Sequence, residues 1–181
     1  MELSSRYARY QSLTLVPHEH GILEVVMGAA GGTGKLPMAT LRTLAEGLGF
    51  TNVRTLLASG NLLVDSPLAA AEVRATLEAA LGGVTVVMRS PAELQAVLDA
   101  NPFPDAPGNR LLISFLNDPL PPDAAAGIRH RGQERIHVAA REVVVDYVDG
   151  MGASKLRIPA AEAGTARNLN TVRKLLAAAG E

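Results

Sequence analysis

NVRTLLASGNLLVD, residues 52–65, decides the fold, because its middle must either turn back or cross over. Two short β-type runs, residues 52–57 and 62–65, flank Ser59-Gly60-Asn61. These are tight-turn residues: glycine reaches backbone conformations closed to others, while serine and asparagine side chains bond nearby backbone. A parallel pair would need a connection of about a dozen residues or more. Three turn residues allow only a hairpin. An antiparallel sheet is therefore predicted.

Working outward, residues 22–27 (ILEVVM) read as a strand. Residues 37–48 follow as a helix with Met38, Leu41, Leu44, Ala45 and Leu48 on one face, Pro37 at its first position and Gly49 as its stop. Ser66 and Pro67 open a second helix that keeps Val73, Leu77 and Leu81 on one side and ends at Gly82-Gly83. Residues 84–88 form a dense apolar run, read as a buried strand. The order β-α-β-β-α-β is the ferredoxin-like one. Ser90-Pro91-Ala92-Glu93 has the form of a capping box, and its helix turns Leu94, Val97 and Leu98 inward before stopping at Asn101-Pro102. Next come a strand at 110–116, a short helix at 121–128, and a hairpin of 135–139 with 143–148. A closing helix at 168–179 has Leu169, Val172, Leu175 and Leu176 on its core face. The expectation is an α+β chain of two ferredoxin-like (βαββα-type) halves with mainly antiparallel sheets. The halves fall at residues 22–89 and 90–181, after an N-terminal leader at 1–21.

Composition narrows the function. The 181 residues suffice for a substantial core, and 48% are hydrophobic. With 17 basic against 18 acidic residues the surface lacks the positive excess that gives non-specific nucleic-acid affinity. Only three Phe, three Tyr and no Trp are present, so base-stacking platforms are poorly supplied. No cysteine means no disulfide, thiolate zinc site or thiol catalysis. No apolar run approaches the ~20 residues that span a bilayer, and the leader has no signal-peptide core. The expectation is a cytoplasmic protein with neither nucleic-acid nor membrane partner. His18 and His20 flank Glu19 without further metal ligands, and His130 and His137 have no carboxylate at useful spacing. No metal or other cofactor is expected.

The loop MGAAGGTGK, residues 27–35, invites a phosphate-binding reading. A Walker A loop fails, because Ala29 and Leu36 stand where its first glycine and its hydroxyl belong. Gly28, Gly31 and Gly34 do have dinucleotide-like spacing, and Arg54 would suit a 2′-phosphate, which gives the alternative of an NADP-dependent reductase. That reading needs a parallel sheet and puts Pro37 a turn inside the helix, which costs about 3 kcal/mol.

Four motifs then stand out: residues 31–61 (GGTGKLPMATLRTLAEGLGFTNVRTLLASGN), 89–105 (RSPAELQAVLDANPFPD), 149–156 (DGMGASKL) and 165–175 (TARNLNTVRKL). In this order they resemble DUF1697, a bacterial family of unknown function. The resemblance implies an α+β protein of two ferredoxin-like halves and carries no activity. The chain departs from the family pattern. Residues 25–30 lack the Arg-Gly-x-Asn strand end, Ala58 replaces a glutamine, Leu169 replaces an aromatic, 157–166 is short, and 1–21 has no counterpart.

The polar residues left in these motifs suggest a site for a small anionic molecule between the halves, with no reaction assigned. Its candidates are Gly32, Lys35, Ser59, Asn61, Lys155, Arg167, Asn168 and Asn170. Loops bearing Lys35 and Ser59-Gly60-Asn61 would meet the first amides of the last helix, where Arg167 adds a forked donor suited to phosphate or carboxylate. Another alternative is a protein-interaction module, in which the leader, with Leu13 and Leu15 alternating among polar residues, adds a strand or covers a neighbour.

Overall fold

The structure, a computed structural model, describes residues 21–25, 37–56, 61–82 and 84–180. Residues 1–20 of the leader, the glycine loop and the Ser59-Gly60 turn lie outside these residues. The chain divides into two compact units, Met1–Ser90 and Pro91–Glu181. Among the described residues, no helix is long and apolar enough to cross a membrane.

The first unit runs β1 (Gly21–Val25), α1 (Met38–Gly47), β2 (Thr51–Leu56), β3 (Asn61–Asp65), α2 (Ala70–Ala80) and β4 (Val86–Arg89). Its sheet has the order β2-β3-β1-β4, and every neighbouring pair is antiparallel. The deciding pair is β2 with β3, where Leu56 stands opposite Asn61. The chain therefore doubles back there. This overturns the reductase alternative: a doubly wound dinucleotide fold needs those strands parallel, with a helix between them.

Local chemistry explains the element ends. Leu41 donates its amide to the Pro37 carbonyl (3.1 Å), so α1 starts directly behind the proline. Gly49, with φ of +86°, lets the chain leave the helix for β2. Asn52, with φ of +52°, marks the register shift between Thr51 and Arg54, and asparagine tolerates that conformation better than most residues. The second helix begins at Ala70, later than Ser66-Pro67 suggested. The Ser66 hydroxyl accepts from the Leu68 amide (3.1 Å), which holds a turn in place of the first helical residues. Leu41, Ala45, Val73 and Leu77 from the two helices then close on Val53, Leu62, Val64 and Val86 from the sheet.

The second unit runs α3 (Pro91–Asp99), β5 (Leu111–Phe115), β6 (Arg135–Val138), β7 (Glu142–Asp146), β8 (Thr165–Asn168) and α4 (Leu169–Ala179). Its antiparallel sheet has the order β6-β7-β5-β8. As in the first sheet, the unit's first strand lies between its third and fourth. The helices are placed differently: α3 precedes the sheet and α4 follows it, and the two pack together, α4 also against β5. Two sequence expectations need correction. The helix expected at 121–128 is a single 3-10 turn, Ala124–Gly127, too short to carry an apolar stripe. And β8 was not foreseen. It reads TARN, with only Thr165 buried. Among the described strands it lies at an edge, bonded to β5 alone, so it needs no apolar alternation.

Gly164 makes the β8 pairing possible. A Cβ there would stand 2.4 Å from the Phe115 carbonyl oxygen, which is backbone and has nowhere to go. Gly164→Ala should cost about 1–3 kcal/mol, the usual range for forced overpacking. Gly108→Ala is the control. Its added Cβ would meet the Asn170 Oδ1 at 2.2 Å, the free end of an exposed side chain that can swing aside. That variant should stay within about 0.5 kcal/mol of the parent. Urea midpoints check both, and equal losses would contradict this account.

Candidate functional site

The strand register brings two loops together. Arg135 opens β6 and pairs across with Asp146, the end of β7, so the chain entering β6 and the chain leaving β7 emerge side by side. Further out, Arg129 and Arg157 exchange backbone hydrogen bonds of 2.9 Å in both directions. The loops are thus tied at the sheet and again at this bridge. Between the ties lies a cavity of about 300 Å³, lined by residues 130, 132–134, 147–150 and 153–155.

Its inner tie is a charged cluster. Asp146 is 2% exposed and accepts from Arg135 Nε (2.8 Å). The same guanidinium reaches both oxygens of Asp105 at 3.1 and 2.9 Å and lies 4.8 Å above the Phe103 ring. Arg135 therefore anchors the Phe103–Asp105 segment to the strand ends beside the cavity.

Residues 147–150 form a tight turn closed by the Gly150 amide on the Tyr147 carbonyl (2.7 Å). Gly150 has φ of +86°, a conformation that side-chain-bearing residues avoid. The turn is held from outside by Arg110, whose carbonyl accepts from the Tyr147 amide (3.1 Å) and whose Nη1 donates to the Val148 carbonyl (2.7 Å). On the opposite wall His130 also has positive φ, +54°, a mild strain for a non-glycine residue.

Glu134 is the central acid. It is 8% exposed, although it lines a cavity. One carboxylate oxygen accepts from the Ser154 hydroxyl and the other from the Gly132 amide at 2.6 Å. Ser154 is fixed in turn by accepting from the Leu156 amide (3.2 Å). Above all the Ser154 hydroxyl, then the amides of Glu134 and Gly132, hold the Glu134 carboxyl below the usual carboxylate range, against the effect of burial. A lowered value makes ionised Glu134 stabilising at neutral pH, and that contribution is lost as pH falls through the lowered value. Burial first, and the Glu134 charge second, push the Tyr147 phenol above its usual value, so that ring stays neutral at physiological pH.

The described sequence candidates belong to both units. Gly32, Lys35 and Ser59 lie outside the described residues. Asn61 is fully buried in the first unit and donates to the Leu56 carbonyl (2.9 Å), across the base of the hairpin. Arg167, Asn168 and Asn170 cluster where β8 meets α4. There the Asn168 side chain caps the helix by accepting from the Thr171 amide (2.9 Å), and the Asn170 amide donates to the Gly108 carbonyl (3.4 Å). Arg167 Nη1 donates to Thr165 Oγ1 and to the Ala166 carbonyl, both at 2.8 Å. Two amides an anion would need at that helix start are thus already engaged. Lys155 alone among the described candidates lines the cavity. Sequence reading passed over Glu134 and Tyr147, and set His130 aside for want of a carboxylate at useful spacing. The signal for one wall was the DGMGASKL motif, whose glycines and Ser154 build it. Glu134, set in the polar run RGQER, carried none.

A family model described as a protein of unknown function, DUF1697, matches residues 29–144. The chain belongs to the DUF1697 family. The match includes β6 and most of β7, while the DGMGASKL wall of the cavity follows it. No curated protein matches this DUF1697 member. Its fold is similar to the solved structure of a conserved bacterial protein from Streptococcus pneumoniae, with a TM-score of 0.71 and 20% identity. That likeness covers 88% of this chain and 98% of the other.

Proposed function

We propose that this DUF1697 member is a non-enzymatic, cytoplasmic small-molecule-binding protein. Its site is the cavity between the 130–134 and 147–155 loops, and its ligand carries a phosphate or carboxylate held by Lys155. The cavity carries this reading: at about 300 Å³ it meets the lower bound for small-molecule sites. Lys155 stands exposed at its wall and has no ion-pair partner among the described residues. Each unit is read as a ferredoxin-like half, supported by the shared placement of the first strand between the third and fourth.

A thermal-shift series with inorganic phosphate, nucleotides and short carboxylates tests the reading. At least one should raise the melting temperature at millimolar concentration. Lys155→Ala should then weaken that ligand roughly tenfold or more, as expected for one hydrogen bond to a charged group. A flat response across the series would end the proposal.

A further inference from the structure

We propose that the cavity takes a ligand charged at both ends, with a protonated amine seated against Glu134 and the anionic group on Lys155, so that the ligand class is amino-acid-like. This rests on the cavity being a ligand site and adds the second charge.

The argument begins with an imbalance. A carboxylate taken out of water needs a compensating cation or a full set of hydrogen bonds. Glu134 is 8% exposed, yet its carboxylate partners are a hydroxyl and the amides of Glu134 and Gly132, all neutral. A carboxylate offers about four acceptor positions, so three donors leave room for one more. Among the described residues it forms no salt bridge. The nearby Arg131 directs its Nε to the Glu134 carbonyl (3.2 Å). Ser154 and Gly132 therefore aim and hold a negative charge that makes no direct ion pair among the described residues, Arg131 attracting it only at longer range. A protonated amine completes that set with a charge-assisted hydrogen bond.

Three further features fit an amine on a short aliphatic body. Tyr147 lines the same cavity, and aromatic faces attract cations. Asp149, in the turn between Tyr147 and Gly150, adds a second negative charge to that wall. Among the described residues the exposed large hydrophobic side chains are Val148 and Met151, at 39% and 45%. Val148 lines the cavity, and Met151 is two residues from lining residue Ala153. Apolar surface beside charged groups suits the methylenes linking a ligand's two charges.

Calorimetric titration of the full chain with three five-carbon probes tests this: 5-aminopentanoate, pentanoate and pentylamine. The expected result is that 5-aminopentanoate binds at least tenfold tighter than pentanoate. Glu134→Gln should erase that advantage, and pentanoate, freed of a nearby like charge, should bind no more weakly than before. If Glu134→Gln does not fold, Glu134→Asp, which keeps the charge but withdraws it, should cut the advantage at least threefold. Equal binding of the two acids, or an advantage that survives both variants, overturns the amine assignment while leaving the anion reading intact. Binding of pentylamine through Glu134 with no binding of pentanoate supports the amine assignment and removes the anion reading instead. If no probe binds, both fall.

Discussion

Phe115→Ala should destabilise the protein by about 3–5 kcal/mol, the range for deleting a fully buried aromatic side chain. Phe115 is 1% exposed and heads the largest fully buried side chains. It shares one face of β5 with Leu111 and Ile113, both equally buried. That strand is bonded on both sides, to β7 and to β8, and α4 packs against it. The backbone cannot close over the missing ring, because the strand is fixed by two ladders. Its last pairs, Phe115 with Glu142 and with Thr165, hold the end where the ring departs. The lost burial is therefore accompanied by a cavity that stays open. Urea unfolding should show a lower midpoint with an unchanged slope, and amide exchange should quicken in β5, β7 and β8. A loss below about 1.5 kcal/mol would mean that the neighbours do collapse, and the account of a rigid centre would be wrong.

Leu77→Ala is the corresponding test of the first unit, with an expected loss of about 2–5 kcal/mol. Leu77 is fully buried on α2, among residues from α1, β3 and β4. Elements arriving from several directions cannot all shift toward one vacancy, which favours the upper part of the range. Leu77→Met, which conserves volume, should cost less than about 1.5 kcal/mol. If the two variants lost equal stability, packing at that position would not be the cause.

What was legible in the sequence followed from periodicity and turn chemistry. The Ser59-Gly60-Asn61 turn implied the β2–β3 reversal, and the helical spacing of Leu41 and Ala45 and of Val73 and Leu77 marked the core residues. The hairpin of β6 and β7 was visible because Val143, Val144 and Val145 form an apolar run, as a strand buried on both faces requires. The misses also have physical causes. β8 is polar because it lies at an edge, so alternation was never required of it. The turn at 124–127 is alanine-rich, which reads as helix, but it has only a few residues to bury. The cavity was missed for a different reason. Its walls come from segments about twenty residues apart, joined by strand register, and nothing in local pattern reports such a meeting. Charge patterning directed attention to Arg167 and the α4 start, where the protein satisfies its own groups, and away from Glu134 in the cavity.

The double tie of the cavity loops, at Arg135–Asp146 and at Arg129–Arg157, bears on how association would proceed. Segments held at both ends have surrendered most of their backbone freedom before any guest arrives, so little conformational entropy remains to be lost on capture. A small molecule entering such a frame should therefore bind with a single fast phase and leave the backbone nearly unmoved. Relaxation measurements on residues 130–134 and 147–155 should give much the same order parameters with and without it.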